Sequence, residues 1–259
     1  MHNSISVFII TYNEEARLPA TLEAAKQVAD EIVIVDSGSN DSTGEIAEQF
    51  GATFIFNKFE GYGSQKIFAE NQCKNRWLLN LDADEVMTAE LIEELLVWKQ
   101  KKIPPEIEGY EIDILNVYPG DCKPRWLARD YRPVRLYDQQ RVSFRNHPLF
   151  DRVNIKQRHA IGRFKLPIFH FTNYSFDQMV AKGNRLTDLQ AKHSANRSIS
   201  GLKFRIWFEF PFCFLKTYFL RRHVTGGWKG FVFSLNNAYF RTIRICKILE
   251  RAKEIDHGG

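Results

Sequence analysis

The sequence predicts an α/β protein, in which a mostly parallel sheet with covering helices is followed by a helical C-terminal extension. Apolar, β-branched runs alternate with helical patterns through residues 1–100, and this order is typical of a parallel sheet. Polar groups directly follow three of those apolar runs, and the pattern from Ser175 onward is helical. We therefore expect a first domain over residues 1–175, with halves 1–100 and 101–175, and a helical, basic-aromatic region over 176–259.

Four mainly apolar runs predict strands, and the first, second and fourth are expected to be buried. The runs are Ile5–Ile10, Glu31–Val35, Ala52–Phe56 and Trp77–Leu81. Helices are expected between and after them, including residues 64–74 and Ala89–Lys99. Asn13 is expected to cap the first helix, and the capping box Ser42–Glu45 is expected to open the second.

The pattern changes after residue 105. Gly109–Val117 and Val134–Tyr137 indicate strands of a different, partly antiparallel arrangement. The sequence contains neither G-x-G-x-x-G, the motif of dinucleotide-binding proteins, nor G-x-x-x-x-G-K-[ST], the motif of P-loop proteins. Neither class of protein is therefore indicated.

The composition indicates a folded protein of the reducing cytoplasm. Apolar residues make up 44% of the 259 residues and aromatic residues 14%, which favours a packed core over disorder. The four cysteines have neither metal-site nor disulfide-framework spacing. The first residues lack the basic start and apolar run of a secretory signal.

Basic charge is concentrated towards the C-terminal end. The net charge is +5, and residues 197–259 hold twelve Lys or Arg against four Asp or Glu. The same segment is rich in Phe, Trp and Tyr, and charged residues interrupt every window of about twenty residues. These features predict peripheral contact with the anionic inner face of the plasma membrane, without a spanning helix. Aromatic packing of a helical subdomain is the alternative.

Asp82 and Asp84 stand two residues apart where the fourth apolar run ends. Residues at this spacing on an extended chain point to the same side, so both carboxylates can face one point. Mg²⁺ and Mn²⁺ prefer such oxygen ligands and are often shared with substrate phosphates. The pair predicts a metal-bound nucleotide diphosphate, although acidic residues also collect in ordinary solvated loops.

Three other side chains are candidates for ligand contact. Asp36 follows the second apolar run and can accept hydrogen bonds from a nucleobase or ribose, with a helix-capping role as the alternative. Lys66 follows the Gly61–Gly63 loop at the start of a predicted helix, where phosphate is attracted, with a solvated lysine as the alternative. His170 lies in an apolar setting and is either a ligand or a buried core residue.

The region between residues 130 and 151 holds candidates for two roles. Arg132, Arg135 and Arg141 can clamp a diphosphate or an anionic acceptor, with a solvated strand face as the alternative. Removal of a proton from an acceptor hydroxyl needs a general base. The candidates for that base are Asp151, His147 and Asp130.

Four segments, in this order along the chain, resemble family 2 glycosyltransferases with the GT-A fold. They are Thr11–Glu15, Ile34–Thr43, Gly61–Lys66 and Leu81–Glu85, and the similarity covers roughly residues 4–96. Within the family the chain is most similar to bacterial lipopolysaccharide inner-core β-1,4-glucosyltransferases. That closer similarity lies in Gln65–Lys66, Arg135–Tyr137, Gly226–Gly230 and Lys247–Glu250.

The resemblance implies an inverting, metal-dependent hexosyltransferase that uses Mg²⁺ or Mn²⁺ and a nucleotide-sugar donor, expected to be a UDP-hexose. It implies that Asp82 and Asp84 hold the ribose and the metal-diphosphate, and that His170 touches the metal or the diphosphate. It also implies which residues border the nucleotide, namely Thr11, Tyr12, Glu14 and Asp36.

The general base follows from the same resemblance. Relatives carry Val-His-Glu before a valine in the acceptor region, with the Glu as the base. The corresponding stretch here is Leu149–Val153, so Asp151 keeps the carboxylate and Phe150 replaces the histidine.

The expected acceptor is a lipid-linked saccharide such as the lipopolysaccharide core. A protein or another cell-envelope glycan is the alternative acceptor. The rival class is a non-enzymatic nucleotide- or nucleic-acid-binding protein, because basic residues interleaved with aromatics can track phosphates and stack bases. We expect no nucleic-acid partner, since the same tail suits an anionic membrane.

Overall fold

The protein was analysed as a computed structural model, which describes residues 2–128, 130–147, 152–155, 158–172, 175–192, 194 and 198–257. The chain divides into two compact units. Unit 1 comprises Met1–Leu115 and Asp130–Phe171, and unit 2 comprises Asn116–Arg129 and Thr172–Gly259.

Unit 1 is built on a seven-stranded sheet in the order β3-β2-β1-β4-β8-β6-β9, and a three-stranded sheet has the order β5-β10-β7. Four strands, β3, β2, β1 and β4, run parallel, and β8 is antiparallel to β4 and β6. The strands are β1 Ile5–Thr11, β2 Glu31–Asp36, β3 Thr53–Phe56, β4 Trp77–Asp82, β5 Glu85–Met87, β6 Gly109–Glu111, β7 Ile114–Asn116, β8 Val134–Asp138, β9 Ile161–Arg163 and β10 Ile168–His170.

Helices cover the parallel strands, and the C-terminal extension is helical, so the predicted fold class is confirmed. Short 3₁₀ turns lie at Arg158–Ala160 and His223–Gly226. The helices are α1 Leu18–Ala25, α2 Thr43–Gln49, α3 Tyr62–Gln72, α4 Ala89–Lys99, α5 Phe176–Lys192, α6 Ile199–Leu215 and α7 Gly227–His257.

The two faces of the sheet bury different sets of side chains, because successive residues of a strand point to opposite faces. On β1, Ile5, Val7 and Ile9 belong to one core cluster, whereas Phe8 packs in the other. β1, β2 and β4 are largely buried on both faces, as predicted, whereas β3 lies at the edge of the sheet with Thr53 and Phe56 exposed.

Three local predictions were wrong. Asn13 does not cap α1, which begins at Leu18; its side-chain oxygen accepts a hydrogen bond from the Asn40 backbone instead. The predicted capping box places the start of α2 correctly, but Ser42 makes no capping bond, and Asp41 accepts from the Thr43 backbone amide. The single strand predicted from residue 109 to 117 is two strands, β6 and β7.

Unit 2 is held together by packing of α6 and α5 against α7 and by two arginines that pair with one buried glutamate. Leu202 on α6 belongs to a core cluster with Ile245 and Ile248 on α7. Glu209 on α6 is buried and accepts hydrogen bonds from Arg205 at 2.6 Å and Arg241 at 3.0 Å. Burial raises the pKa of Glu209, but the two guanidinium groups outweigh it, and the net shift is below the ordinary value. None of the helices in the described ranges is both long and apolar enough to cross a membrane.

Candidate active site

The carboxyl ends of three parallel strands of unit 1 meet at one edge of the sheet. Thr11 at the end of β1 pairs in register with Asp36 on β2, and Ile10 pairs with Asp82 on β4. Ligands of open α/β sheets bind beyond such strand ends. The strand register therefore brings together, at one edge of the sheet, the polar residues that follow separate apolar runs in the sequence.

Asp82 is held by two cations on the face of the sheet that α3 covers. Lys66 donates from Nζ to the side-chain oxygens of Asn80 and Asp82, both at 2.9 Å. Arg135 on β8 donates to Asn80 at 2.6 Å and to the second Asp82 oxygen at 3.1 Å. Lys66 is fully buried, whereas the Asp82 side chain keeps 30% exposure at the edge. The two cations fix the direction in which the Asp82 carboxylate points.

Charge controls the protonation state of Asp82. Burial raises the pKa of this carboxyl, but the positive charges of Lys66 and Arg135 outweigh burial and hold the pKa well below its usual range. Asp82 is therefore anionic throughout the physiological range. Its charge is already balanced within the protein before any ligand binds.

Glu85, the first residue of β5, is a buried carboxylate that sequence reasoning missed. Arg135 donates to one of its oxygens, and the Asp82 backbone amide donates to the other at 3.0 Å. Burial raises the pKa of Glu85, Arg135 opposes that shift, Asp82 adds to it, and the net direction is upward. Arg135 therefore contacts Glu85 and Asp82 at the same time, and the contact with Glu85 fixes the position of its guanidinium group.

Asp84 and His170 lie side by side at the same edge. His170 Nε2 is 3.2 Å from Asp84 Oδ1, because β10 pairs with β5 and the Phe171 amide donates to the Asp84 carbonyl at 2.8 Å. Arg17 approaches the other Asp84 oxygen at 3.6 Å. Burial lowers the pKa of His170, but Asp84, Glu85 and Asp82 raise it, and the net shift is upward. The carboxylates around His170 therefore favour its protonated form.

The donor set at this edge suits a divalent cation that takes two ligands from the protein. Within the described part of the chain, no three His, Cys, Asp or Glu side chains are grouped so as to hold a metal ion. Asp82 is directed to Lys66 and Arg135, which leaves Asp84 and His170 as the adjacent oxygen and nitrogen donors. Mg²⁺ and Mn²⁺ commonly complete their shells with phosphate oxygens and water.

The Asp36 carboxylate shapes the loop after β2. Its oxygens accept hydrogen bonds from the Thr11 hydroxyl at 2.8 Å, the Gly38 amide at 2.7 Å, and the Ser39 amide and hydroxyl at 2.7 and 2.5 Å. Gly38 has φ +101°, a conformation that favours glycine. Asp36 and Thr11 are both buried, so they position the backbone at the edge, and direct contact with a nucleoside stays a prediction.

Tyr12 and Glu14 lie beside this loop. Tyr12 is 55% exposed, and the Glu14 carboxylate accepts from Arg17 Nε at 2.6 Å. Asn13 between them has φ +55°, and its amide donates to the Ser39 hydroxyl. The β1 loop and the β2 loop are therefore tied together, which leaves the Tyr12 ring open to solvent.

The three candidate arginines do not act together. Arg135 reaches the site, whereas Arg132 forms a bidentate pair with Asp113 at 2.6 and 3.2 Å. Arg141 lies three residues beyond the end of β8 and stands 3.7 Å from Asp138. Arg132 precedes β8 and Arg141 follows it, and their side chains keep 33% and 36% exposure, so contact of either with a ligand stays a prediction.

The candidate bases occupy different positions. Asp151 lies outside the described residues. The two residues that follow it are paired, because Phe144 bridges Val153 and the Arg145 amide donates to the Arg152 carbonyl at 2.9 Å. His147 contacts the start of α3 through its backbone, and Asp130 precedes Tyr131, which bridges Ile114.

Gly63 is a contact residue that the sequence did not identify as one. Its amide donates to the His147 carbonyl at 3.0 Å. A Cβ at this position would lie 2.3 Å from the Arg145 carbonyl oxygen and 2.5 Å from the His147 amide nitrogen. The absence of a side chain lets the start of α3 pack directly on the backbone that leads into residues 148–151.

We expect Gly63→Ala to destabilise unit 1 by about 1–3 kcal/mol, because backbone atoms of another segment cannot move aside as a side chain can. Denaturant unfolding followed by circular dichroism measures the effect. Gly44→Ala on α2 is the matched control, since its Cβ would meet the Phe54 ring at 3.4 Å, an ordinary contact. Equal stability of Gly63→Ala and the parent would contradict the packing role.

Comparison with known proteins places this geometry in a family. The model of glycosyl transferase family 2 matches residues 6–173. An uncharacterised glycosyltransferase of Rickettsia prowazekii is 36% identical over 251 residues, which cover 94% of this chain and 86% of that protein. The lipopolysaccharide core biosynthesis glycosyltransferase LpsC of Rhizobium meliloti is 29% identical over 258 residues, 95% of this chain and 92% of that protein.

Among solved structures, S. aureus TarS 1–349 in complex with UDP-GlcNAc is similar over 97% of this chain and 92% of that chain, with 14% identity and a TM-score of 0.47. The family assignment rests on the sequence comparisons, which cover the strand ends and the Asp82–Asp84 segment together. The chain belongs to glycosyl transferase family 2.

Proposed function

We propose that this glycosyltransferase transfers a sugar, with inversion, from a nucleotide-sugar to a hydroxyl of a lipid-linked glycan. The observation that carries the proposal is the pairing of Asp84 with His170, 3.2 Å apart, beside an Asp82 already neutralised by two cations. Such an edge offers an oxygen and a nitrogen donor for a cation next to a fixed carboxylate. These are the features needed to hold a metal-bound diphosphate.

The donor is proposed to lie across the strand ends, with a UDP-hexose as the expected donor. The nucleoside is bordered by Thr11, Tyr12, Glu14 and Asp36. The exposed Tyr12 ring is available to stack on the nucleobase. Lys66 and Arg135 act through Asp82, whose two oxygens they hold in one direction. Asp82, which keeps 30% exposure, then accepts hydrogen bonds from the ribose.

The reaction is a direct displacement at the anomeric carbon. The acceptor oxygen forms a bond to that carbon while the bond to the diphosphate oxygen breaks, and the diphosphate leaves with the electron pair. Asp151 takes the proton of the acceptor hydroxyl as general base. Mg²⁺ or Mn²⁺ held by Asp84 and His170 would offset the charge of the departing diphosphate.

The acceptor is proposed to be a saccharide of the lipopolysaccharide core or a similar lipid-linked glycan at the cytoplasmic face of the plasma membrane. The relative LpsC is named for lipopolysaccharide core biosynthesis, and it matches almost the whole of this chain. The surplus of basic residues over 197–259 supports a location at an anionic surface. A protein or another envelope glycan is the alternative acceptor.

A donor screen tests the proposal. Purified protein is incubated with a panel of nucleotide-sugars, with and without Mn²⁺, and the released nucleoside diphosphate is measured. We expect one donor to be hydrolysed or transferred in the presence of metal, and EDTA to abolish the reaction. Asp151→Asn should keep donor affinity in calorimetry but lose acceptor-dependent transfer.

Two outcomes would count against the proposal. Full activity in excess EDTA would show that the reaction needs no metal ion. Binding of a nucleotide without turnover of any sugar would favour the non-enzymatic alternative. An active Asp151→Asn combined with an inactive His147→Gln or Asp130→Asn would move the base to another residue.

A further inference from the structure

A large apolar surface on unit 2 is not covered by any of the described residues. Six large apolar side chains of α6 and of the π-type turn Lys216–Leu220 that follows it are at least 55% exposed. We name this set the apolar stripe. It consists of Phe204, Trp207, Phe208, Phe212, Phe219 and Leu220. Exposed apolar patches of this extent are uncommon on monomeric proteins and mark interaction sites.

The four members of the apolar stripe that lie on α6 share one face because of helical spacing. Residues 204, 207, 208 and 212 recur at steps of three and four, which places them on one face of α6. The opposite face carries the buried Leu202, Glu209 and Cys213, which pack within unit 2. The stripe is therefore the outward face of a helix whose inner face is already satisfied.

The exposed charged residues of segment 199–226, which carries the apolar stripe, are all positive. Lys203, Lys216, Arg221 and Arg222 are exposed, and the Lys216 ammonium lies 5.9 Å from the centre of the Phe212 ring. Residues 199–226 contain a single acid, Glu209. Since Glu209 is buried against Arg205 and Arg241, it does not offset the exposed cations.

We propose that the apolar stripe with its four flanking cations is the surface that binds an anionic lipid bilayer, with α6 lying in the plane of the interface. Aromatic rings flanked by lysine and arginine suit the headgroup boundary, where apolar faces enter and cations meet anionic headgroups. The cations carry the complementary charge. A second copy docked on the same surface would place like charges against each other, which disfavours self-association.

This inference deepens the proposed function by locating the contact with the membrane that holds the acceptor. The test measures lipid binding and does not involve sugar transfer, so either proposal can fail alone. The side chains of Trp207 and Phe204 are 78% and 71% exposed. They can therefore be replaced without the loss of a buried contact.

Sedimentation with vesicles tests the surface, using full-length protein. We expect binding to phosphatidylglycerol-containing vesicles, weaker binding to pure phosphatidylcholine, and release by high salt. The double variant Phe204→Ser, Trp207→Ser should reduce the bound fraction at least about tenfold. The matched control Leu96→Ser, Val97→Ser removes two exposed apolar side chains of α4 in unit 1 and should bind as the parent does.

The contribution of the flanking cations to vesicle binding is tested with a second variant and its matched control. Lys203→Glu with Lys216→Glu should reduce binding to the anionic vesicles, whereas Lys101→Glu with Lys102→Glu makes the same net change on unit 1 and should not. Circular dichroism melting curves confirm that each variant is folded.

Several results would overturn the inference. Parental protein that does not sediment with anionic vesicles would do so, as would equal binding by the stripe variant and its control. A dimer in light scattering that becomes a monomer in Phe204→Ser, Trp207→Ser would assign the surface to a second copy. Competition of vesicle binding by single-stranded DNA, with loss of DNA binding in the stripe variant, would assign it to nucleic acid.

Discussion

Asp84→Asn is expected to lower sugar transfer on the order of 10³-fold while leaving the protein folded. The substitution keeps the shape of the side chain but removes the negative charge beside His170 and Arg17. A bound cation contributes several kcal/mol of charge stabilisation in such reactions, and each 1.36 kcal/mol is a factor of ten in rate. Transfer at saturating donor, with the Mn²⁺ concentration varied, measures the loss.

The Mn²⁺ dependence separates a ligand from a residue that only shapes the site. Asp84→Asn should need more Mn²⁺ for half-maximal rate, whereas Glu93→Gln, which neutralises an exposed carboxylate on α4, should leave both rate and Mn²⁺ dependence as in the parent. A parental transfer rate in Asp84→Asn would rule out Asp84 as a ligand. Loss of the fold in thermal melting would instead indicate a structural role.

Arg135→Met is expected to destabilise unit 1 by about 3–5 kcal/mol, because it removes the cation that faces the fully buried Glu85. Removing one partner of a buried ion pair leaves an uncompensated charge, and its desolvation cost dominates. The loss of Arg135 also removes one of the two cations on Asp82. Urea unfolding of the parent and the variant measures the difference.

Two further variants identify the cause. Arg141→Met removes a guanidinium that stands 3.7 Å from Asp138 and keeps 36% exposure, so it should cost no more than about 1 kcal/mol. Glu85→Gln in the Arg135→Met background should restore part of the stability, because it removes the unbalanced charge. Equal stabilities of Arg135→Met and Arg141→Met would show that the buried pair is not important for stability.

The strand ends could be predicted from the sequence because their signals are local. A continuous apolar run followed by Asp36, or by Asp82 and Asp84, marks a buried strand and the edge where it stops. The boundaries of β1, β2, β3 and β4 lie within one residue of the prediction. Parallel order then brings the polar ends together without any knowledge of side-chain contacts.

The role of each polar residue could not be predicted in the same way. Asp82 and Asp84 look equivalent in the sequence, yet Asp82 faces Lys66 and Arg135 while Asp84 faces His170. The difference arises because β4 ends at Asp82 and the chain turns before β5. The alternation of an extended strand no longer applies to Asp84.

The C-terminal extension shows the same division. Composition predicted a helical, basic and aromatic region, but it did not decide between a packed subdomain and a membrane surface. The structure buries Leu202 and Glu209 and leaves Trp207 and Phe204 exposed on the other face of α6. Which face of a helix is covered depends on the segments that pack against it.

The sequence alone therefore determined the fold class, the edge of the sheet that forms the candidate site, and the family resemblance, because each rests on short motifs of neighbouring residues. Only the tertiary structure decided that His170 meets Asp84, that Glu85 is the buried partner of Arg135, and that Gly63 lies against His147. These contacts join segments that are far apart in sequence. They depend on burial and charge balance, which produce no periodic pattern in the local sequence.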